Sequence, residues 1–242
     1  MTGAILNAAG IVGGGLAGLL VLRKRPFKPA TEAFFKVALG VATIFFGLRL
    51  AWLNLEGSAG RILKQLAIAA LAIVLGKLLG RLLHLQKMSN RLGRHALHLM
   101  QNSKGSGLQR FNSGFLSCAI LFCAAPLGIL GAVQDGLSGY FQPLVVKAVM
   151  DGLAMAGFVT LLGWGSMLSA LPVFVLQAAI ALACNVYAEP FLRVHGILEC
   201  VNFVGGLLVC TVGLVIFDFK KVELADFLPT LAVAPLLTWL WK

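Results

Sequence analysis

Lys147 and Asp151 stand four residues apart in VVKAVMDGLA, a stretch otherwise fit for hydrocarbon. On a helix that spacing puts the ammonium and the carboxylate on one face. Charge in such a place is costly and generally tied to function. Two readings are open: a carboxylate that takes a proton or cation while the lysine tunes it, or a self-neutralised pair facing the inside of a bundle. Glu199 opens another apolar run, with Asn202 three residues on and Gly206 after it, so one face carries carboxylate, amide and bare backbone. Asn7 leads a Gly10, Gly14, Gly18 stripe, whose small residues at helical spacing are expected to let helices approach. Gln177 falls near the middle of a further run, where an unpaired amide is expensive. Asn7, Lys147, Asp151, Gln177, Glu199 and Asn202 are therefore the expected substrate or ion ligands. Pro126, Gly128 and Gly131 interrupt one run and free backbone groups, which hydrocarbon tolerates only where the break is buried or lines water.

Elements long enough to cross a bilayer must position these residues. The chain is 59% hydrophobic with only 12% charged residues, far below the usual quarter for soluble domains. A span needs about 20 apolar residues, and eight runs approach that length, at 3–22, 34–53, 62–82, 111–133, 144–164, 167–187, 198–217 and 227–241. The last is short, and the fourth is expected to be broken or re-entrant. The first lacks a charged lead and a small-residue cleavage site, so it is expected to be retained. The expected architecture is an all-α polytopic transmembrane bundle forming one integral membrane domain, 1–242. Within it, 3–84 and 167–242 are units of three spans, 85–110 is an amphipathic helix with a linker, and 111–166 is a central two-span element.

Basic residues orient this bundle, because short cytoplasmic loops collect Lys and Arg. Arg23, Lys24, Arg25 and Lys28 follow the first span; Lys87, Arg91, Arg94, Lys104 and Arg110 follow the third; Lys220 and Lys221 follow the seventh. All three loops then face the cytoplasm, with Arg61, Arg193 and Lys242 opposite. Leu85, Met88, Leu92, Ala96 and Leu99 recur at helical spacing with Lys87, Arg91, Arg94 and His98 off the stripe, which predicts an amphipathic helix on the inner leaflet. In this topology Asp151 lies roughly 10 Å below the outer surface, Asn7, Glu199 and Asn202 share that half, and Gln177 lies near the centre. A common depth suggests one polar cavity with a net negative bias, suited to a cation, a proton-coupled solute or a zwitterion. A single shift of 166 residues also matches Gly40 and Gly47 with Gly206 and Gly213. At that shift spans one to three overlay spans six to eight, the pattern of an inverted repeat.

Other chemistries find less support. The net charge of +11 sits at span ends, so it reports orientation and not a nucleic-acid partner. Cys118, Cys123, Cys184, Cys200 and Cys210 lie within or beside apolar runs without a CxxC, and read as small buried thiols. His95 and His98 lack Cys or carboxylate neighbours, so a headgroup-facing role outweighs metal ligation. An aspartyl dyad needs carboxylates that share a proton, but Asp135 is expected in an outer loop, away from Asp151. Gly13-Gly14-Gly15 lies inside a span with no preceding strand, so it is not a phosphate loop. No enzyme activity, cofactor or metal is expected.

The runs LFCAAPLGILGAVQDGLSG, VVKAVMDGLA and TLLGWGSMLSALPVFVLQ, with ILNAAGIVGGGLAGLL at the start and LADFLPTLAVAPLL at the end, resemble the bacterial membrane proteins grouped as the domain of unknown function 554 family. The ordered set Cys123, Pro126, Gly131, Asp135-Gly136, Lys147, Asp151-Gly152, Pro172, Gln177 and Glu199 carries the resemblance. Ala125 and Asp226 depart from the family pattern, where Gly and Asn are common. The resemblance implies a multi-pass protein of the bacterial inner membrane with no established reaction. Combined with the polar residues, it predicts a secondary transporter of a small polar or cationic solute, with a proton or cation as the candidate coupling ion, a homodimeric assembly, and membrane lipid as its other partner. An ion channel and a non-transporting scaffold are the alternatives.

Overall fold

The computed structural model describes residues 1–22, 29–55, 57–101, 107–217, 219 and 222–241, and every regular element among them is helical. The basic loop after the first span lies outside these residues, as do Lys104, Lys220, Lys221 and Lys242. The helices are α1 (Thr2–Ala17, extended by a π-helical turn to Leu22), α2 (Pro29–Leu53), α3 (Ala59–Leu82), α4 (Leu85–Gln101), α5 (Gly107–Cys123), α6 (Pro126–Ser138), α7 (Gln142–Leu162), α8 (Ala170–Ala183), α9 (Glu189–Val194), α10 (Leu198–Ile216) and α11 (Thr230–Leu240). A 3-10 turn (Trp164–Ser169) leads into α8 and a π-helical turn (Cys184–Ala188) joins it to α9, giving one apolar rod of 31 residues. Six helical stretches are long and apolar enough to cross a membrane, and the α5–α6 pair makes a seventh as a bent span. The expected eighth is only the 11-residue α11.

The fourth span breaks where its sequence says it must. Pro126 has no N–H to donate to the carbonyl four residues back, and its ring disfavours helical backbone at the residue before it. Ala125 is accordingly extended (φ −69°, ψ 119°), α6 restarts with Pro126 at its first turn, and the axis turns by 59°. The run does not end at Val133: α6 continues to Ser138 and stops at Gly139, whose φ of +67° closes a left-handed cap. Asp135, expected in a loop, is thus a buried helical residue.

Glycine stripes set how closely the rods approach, as lipid-embedded packing favours. Gly10, Gly14 and Gly18 of α1 lie against Ala148, Gly152 and Ala156 of α7, so those two helices run parallel. Gly40 and Gly47 of α2 meet Gly213 and Gly206 of α10 in antiparallel order, and Gly76 and Gly80 of α3 meet Thr230 and Asp226. Helix α4 packs along α5 with Ala96 fully buried, so its apolar stripe is covered in part by protein. Asp226 caps it: the carboxylate Oδ1 accepts the Gln86 N–H at 2.8 Å, while Gln86 Oε1 accepts the Ala225 N–H at 3.0 Å. A carboxylate at a helix N-terminus is favourable, which gives this departure from the family pattern a structural role.

A Cβ on Gly14 would lie 2.0 Å from the Gly152 carbonyl oxygen, whereas one on Gly13 meets nothing within 4 Å. Gly14→Ala is expected to destabilise the fold by about 1–3 kcal/mol through overpacking, while Gly13→Ala is neutral or gains up to about 1 kcal/mol in helix propensity. Thermal unfolding of the two purified variants checks this, and equal melting temperatures would contradict the packing.

Candidate functional site

The Lys147 ammonium donates to both oxygens of Asp151, at 2.9 Å to Oδ1 and 2.7 Å to Oδ2, and the two residues are only 2% and 7% exposed. Helix geometry brings them together, but it is not what favours the pair, because an acid placed N-terminal to its base is the better order on a helix. The surroundings hold it instead. Asn7 of α1 donates through Nδ2 to Gln177 Oε1 of α8 at 3.2 Å, and its side chain also reaches the Asp151 carboxylate. The Phe122 ring, at the end of α5, lies 5.8 Å from Lys147 Nζ, and the Cys123 thiol next to it sits within the field of both charges. A Cβ on Gly128, in the first turn of α6, would come within 2.9 Å of Lys147 Cε and 3.1 Å of Gln177 Nε2. Five helices therefore converge where the fourth span breaks.

Four of the six expected ligands, Asn7, Lys147, Asp151 and Gln177, form this cluster, and Pro126 and Gly128 shape the break beside it. Gly131 does not take part: it lets α6 approach Leu144 of α7. Nor do Glu199 and Asn202 join. Glu199 is exposed at the first turn of α10, and Asn202 donates through Nδ2 to Asn54 Oδ1 of α2 at 3.3 Å. The reason is rotational, since α10 turns the face bearing Asn202 and Gly206 toward α2 and not toward α7.

Several polar residues escaped the sequence reading. Asp135 Oδ2 accepts the Gly3 N–H at 3.0 Å and lies 2.9 Å from the Met1 nitrogen, joining the first turn of α1 to α6. Its neighbour Gln134 is fully buried against Gly205, with neither amide atom partnered among the described residues. Both followed the end of the hydrophobic run, where an Asp-Gly pair reads as a turn. Cys123 passed as a small hydrophobe; only its position two residues before Ala125-Pro126 pointed to the break.

On the α4 side a crevice of about 450 Å³ reaches the break, lined by Ser89, Asn90, Arg94, Leu121, Ala124 and Pro126, among others. Its wall is polar at α4, and the Ser89 hydroxyl donates to the Ala124 carbonyl at 3.4 Å. Polar side chains and freed backbone thus face one another across a broken span, an arrangement that can hold a small polar species inside a membrane protein.

Fold and site define a polytopic, all-helical membrane protein. The chain belongs to the family described as Protein of unknown function (DUF554), whose model matches residues 2–239. It is similar to the uncharacterized membrane protein YdfK of Bacillus subtilis, at 29% identity over 97% of this chain and 94% of that protein. It is also similar to the uncharacterized protein YqgA of Escherichia coli, at 27% identity over 99% and 97%. No solved structure matches it.

Removing one partner of a buried ion pair strands the other charge, at a cost of about 3–5 kcal/mol, whereas removing both can be nearly neutral. Lys147→Met alone is therefore expected to lower the melting temperature markedly, and Lys147→Met with Asp151→Met to restore most of the loss. A double variant no more stable than the single one would contradict the pairing.

Proposed function

We propose that this protein is a secondary transporter of a small polar solute in the bacterial cytoplasmic membrane, with the Lys147–Asp151 pair, Asn7 and Gln177 as its binding centre. The observation that carries the reading is the meeting of these four residues at the broken fourth span. Discontinuous helices beside midplane polar residues are how transporters present partial charges to a solute. The crevice beside Ser89 and Arg94 of α4 supplies a path to the break.

An inverted repeat of spans one to three and six to eight fits the same proposal. The 166-residue shift equates α1 with α8, α2 with α10 and α3 with α11, and each of these pairs is packed side by side in antiparallel order. Ile44 and Cys210 are themselves related by that shift, and the Cys210 thiol donates to the Ile44 carbonyl at 3.7 Å. Symmetry-related residues touch one another only where the axis passes, so this contact favours a pseudo-two-fold between α2 and α10. Rocking of one repeat against the other would then expose the centre alternately to each side.

Cys123 is a built-in reporter. In full-length protein with the other four cysteines replaced by Ala, a membrane-impermeant maleimide applied from the α4 side is expected to modify Cys123 at least tenfold faster than a control cysteine at Val175, which faces outward from α8 and is 57% exposed. That factor corresponds to about 1.4 kcal/mol of easier access. A rate no higher than the control's means a dry site and ends the transport reading. Steady ionic currents through the reconstituted protein would favour the channel instead.

A further inference from the structure

The charges at the break restrict what can bind there. Lys147 and Asp151 neutralise each other, and neither has an alternative counter-ion among the charged groups that form the cluster. A bound cation that takes over Asp151 strands the Lys147 ammonium, and a bound anion that takes over Lys147 strands the carboxylate. Either event leaves an uncompensated charge in a medium that solvates it poorly. A solute carrying one charge of each sign avoids both penalties, because it enters between the partners and re-forms two ion pairs from one.

The polar groups nearby are arranged for such a solute. Asn7 is wholly buried, and its Oδ1 has no hydrogen-bond partner among the described residues although Nδ2 is engaged by Gln177. An orphaned acceptor beside a carboxylate suits an ammonium, which needs several acceptors at once. On the other side, Lys147 faces Gly128 in the first turn of α6, a 13-residue helix whose N-terminus favours negative charge. The cluster is closed in this conformation: a methyl group on Gly128 would already meet the ends of Lys147 and Gln177, so a solute enters only as Lys147 and Asp151 part, and a small one needs the least opening.

On the reading that this centre is a transport site, we propose that its solute is a zwitterion of amino-acid size. The solute's ammonium is held by Asp151 and Asn7 Oδ1, and its carboxylate by Lys147 and the N-terminus of α6. The load is net neutral and leaves each partner of the pair facing a counter-charge, so no net uptake or release of protons is expected on binding.

Isothermal titration calorimetry of the full-length protein in lipid nanodiscs, in two buffers of different ionisation enthalpy, tests this with glycine, alanine and serine as zwitterions and with acetate and methylammonium as single-charge probes. At least one zwitterion is expected to bind with the same enthalpy in both buffers. The single-charge probes should bind at least about tenfold more weakly, as loss of one charged hydrogen bond implies. Binding should vanish in the Lys147→Met, Asp151→Met double variant, with its melting curve showing that it is folded. Three results overturn the proposal: no zwitterion binds, a single-charge probe binds as tightly as the zwitterions without proton exchange, or a folded double variant still binds glycine, alanine or serine. Should the double variant not fold, the comparison of probes and buffers in the unaltered protein decides alone. Failure of the zwitterions with Cys123 readily modified discards the solute class and leaves transport standing; an unreactive Cys123 discards both.

Discussion

A proline that cannot donate a hydrogen bond, placed midway along a membrane span, is the constraint from which the rest of this structure follows. Pro126 ends α5, makes Ala125 extended and restarts the chain as α6 with a 59° bend. In hydrocarbon the freed backbone groups would be too costly to leave uncovered. The protein surrounds them: Ser89 of α4 reaches the Ala124 carbonyl, and the charged and amide side chains of α1, α7 and α8 gather against the first turn of α6. The same proline that weakens the span thus lies beside the place where Lys147 and Asp151 are buried as a hydrogen-bonded pair.

The glycines do the complementary work. Where α1 meets α7 and α2 meets α10, backbone lies on backbone, and a single methyl group at Gly14, Gly47 or Gly206 would collide with a facing main chain or its near neighbours. Such contacts fix separation without locking rotation through interdigitated side chains. The polar centre lies beside the first of these tight pairs, contributed by α1 and α7 and closed by α5, α6 and α8.

Much of this was legible in the sequence, and what was not has a definite physical cause. Spans announce themselves because hydrocarbon demands about 20 apolar residues in a row, and the broken fourth span was marked by Pro126. The end of α6 is masked in the sequence because Gln134 and Asp135 break the apolar run, although the left-handed cap at Gly139 lies four residues beyond Asp135. Helical spacing pairs Lys147 with Asp151, and depth puts Asn7 in the same half and Gln177 near the centre, yet depth also puts Glu199 and Asn202 in that half. Depth is one coordinate of three. The direction in which a side chain leaves its helix depends on which neighbour that helix packs against, and for α10 that neighbour is α2. Nothing in a single sequence fixes that choice. The matched glycines of α2 and α10 came nearest, since the residues equated by the 166-residue shift lie on the faces that meet.

The transport reading requires that the break in the fourth span be wet where the polar side chains of α1, α7 and α8 meet it. An electron cryo-microscopy map of the full-length protein in lipid nanodiscs, at a resolution that shows ordered water, tests it most directly. The account predicts density for water or solute within hydrogen-bonding distance of Asn7 Oδ1 and continuous with the crevice beside Ser89 and Arg94. Apolar side chains closed over Asp151 with no such density, or α5 and α6 joined as one straight helix, would contradict it.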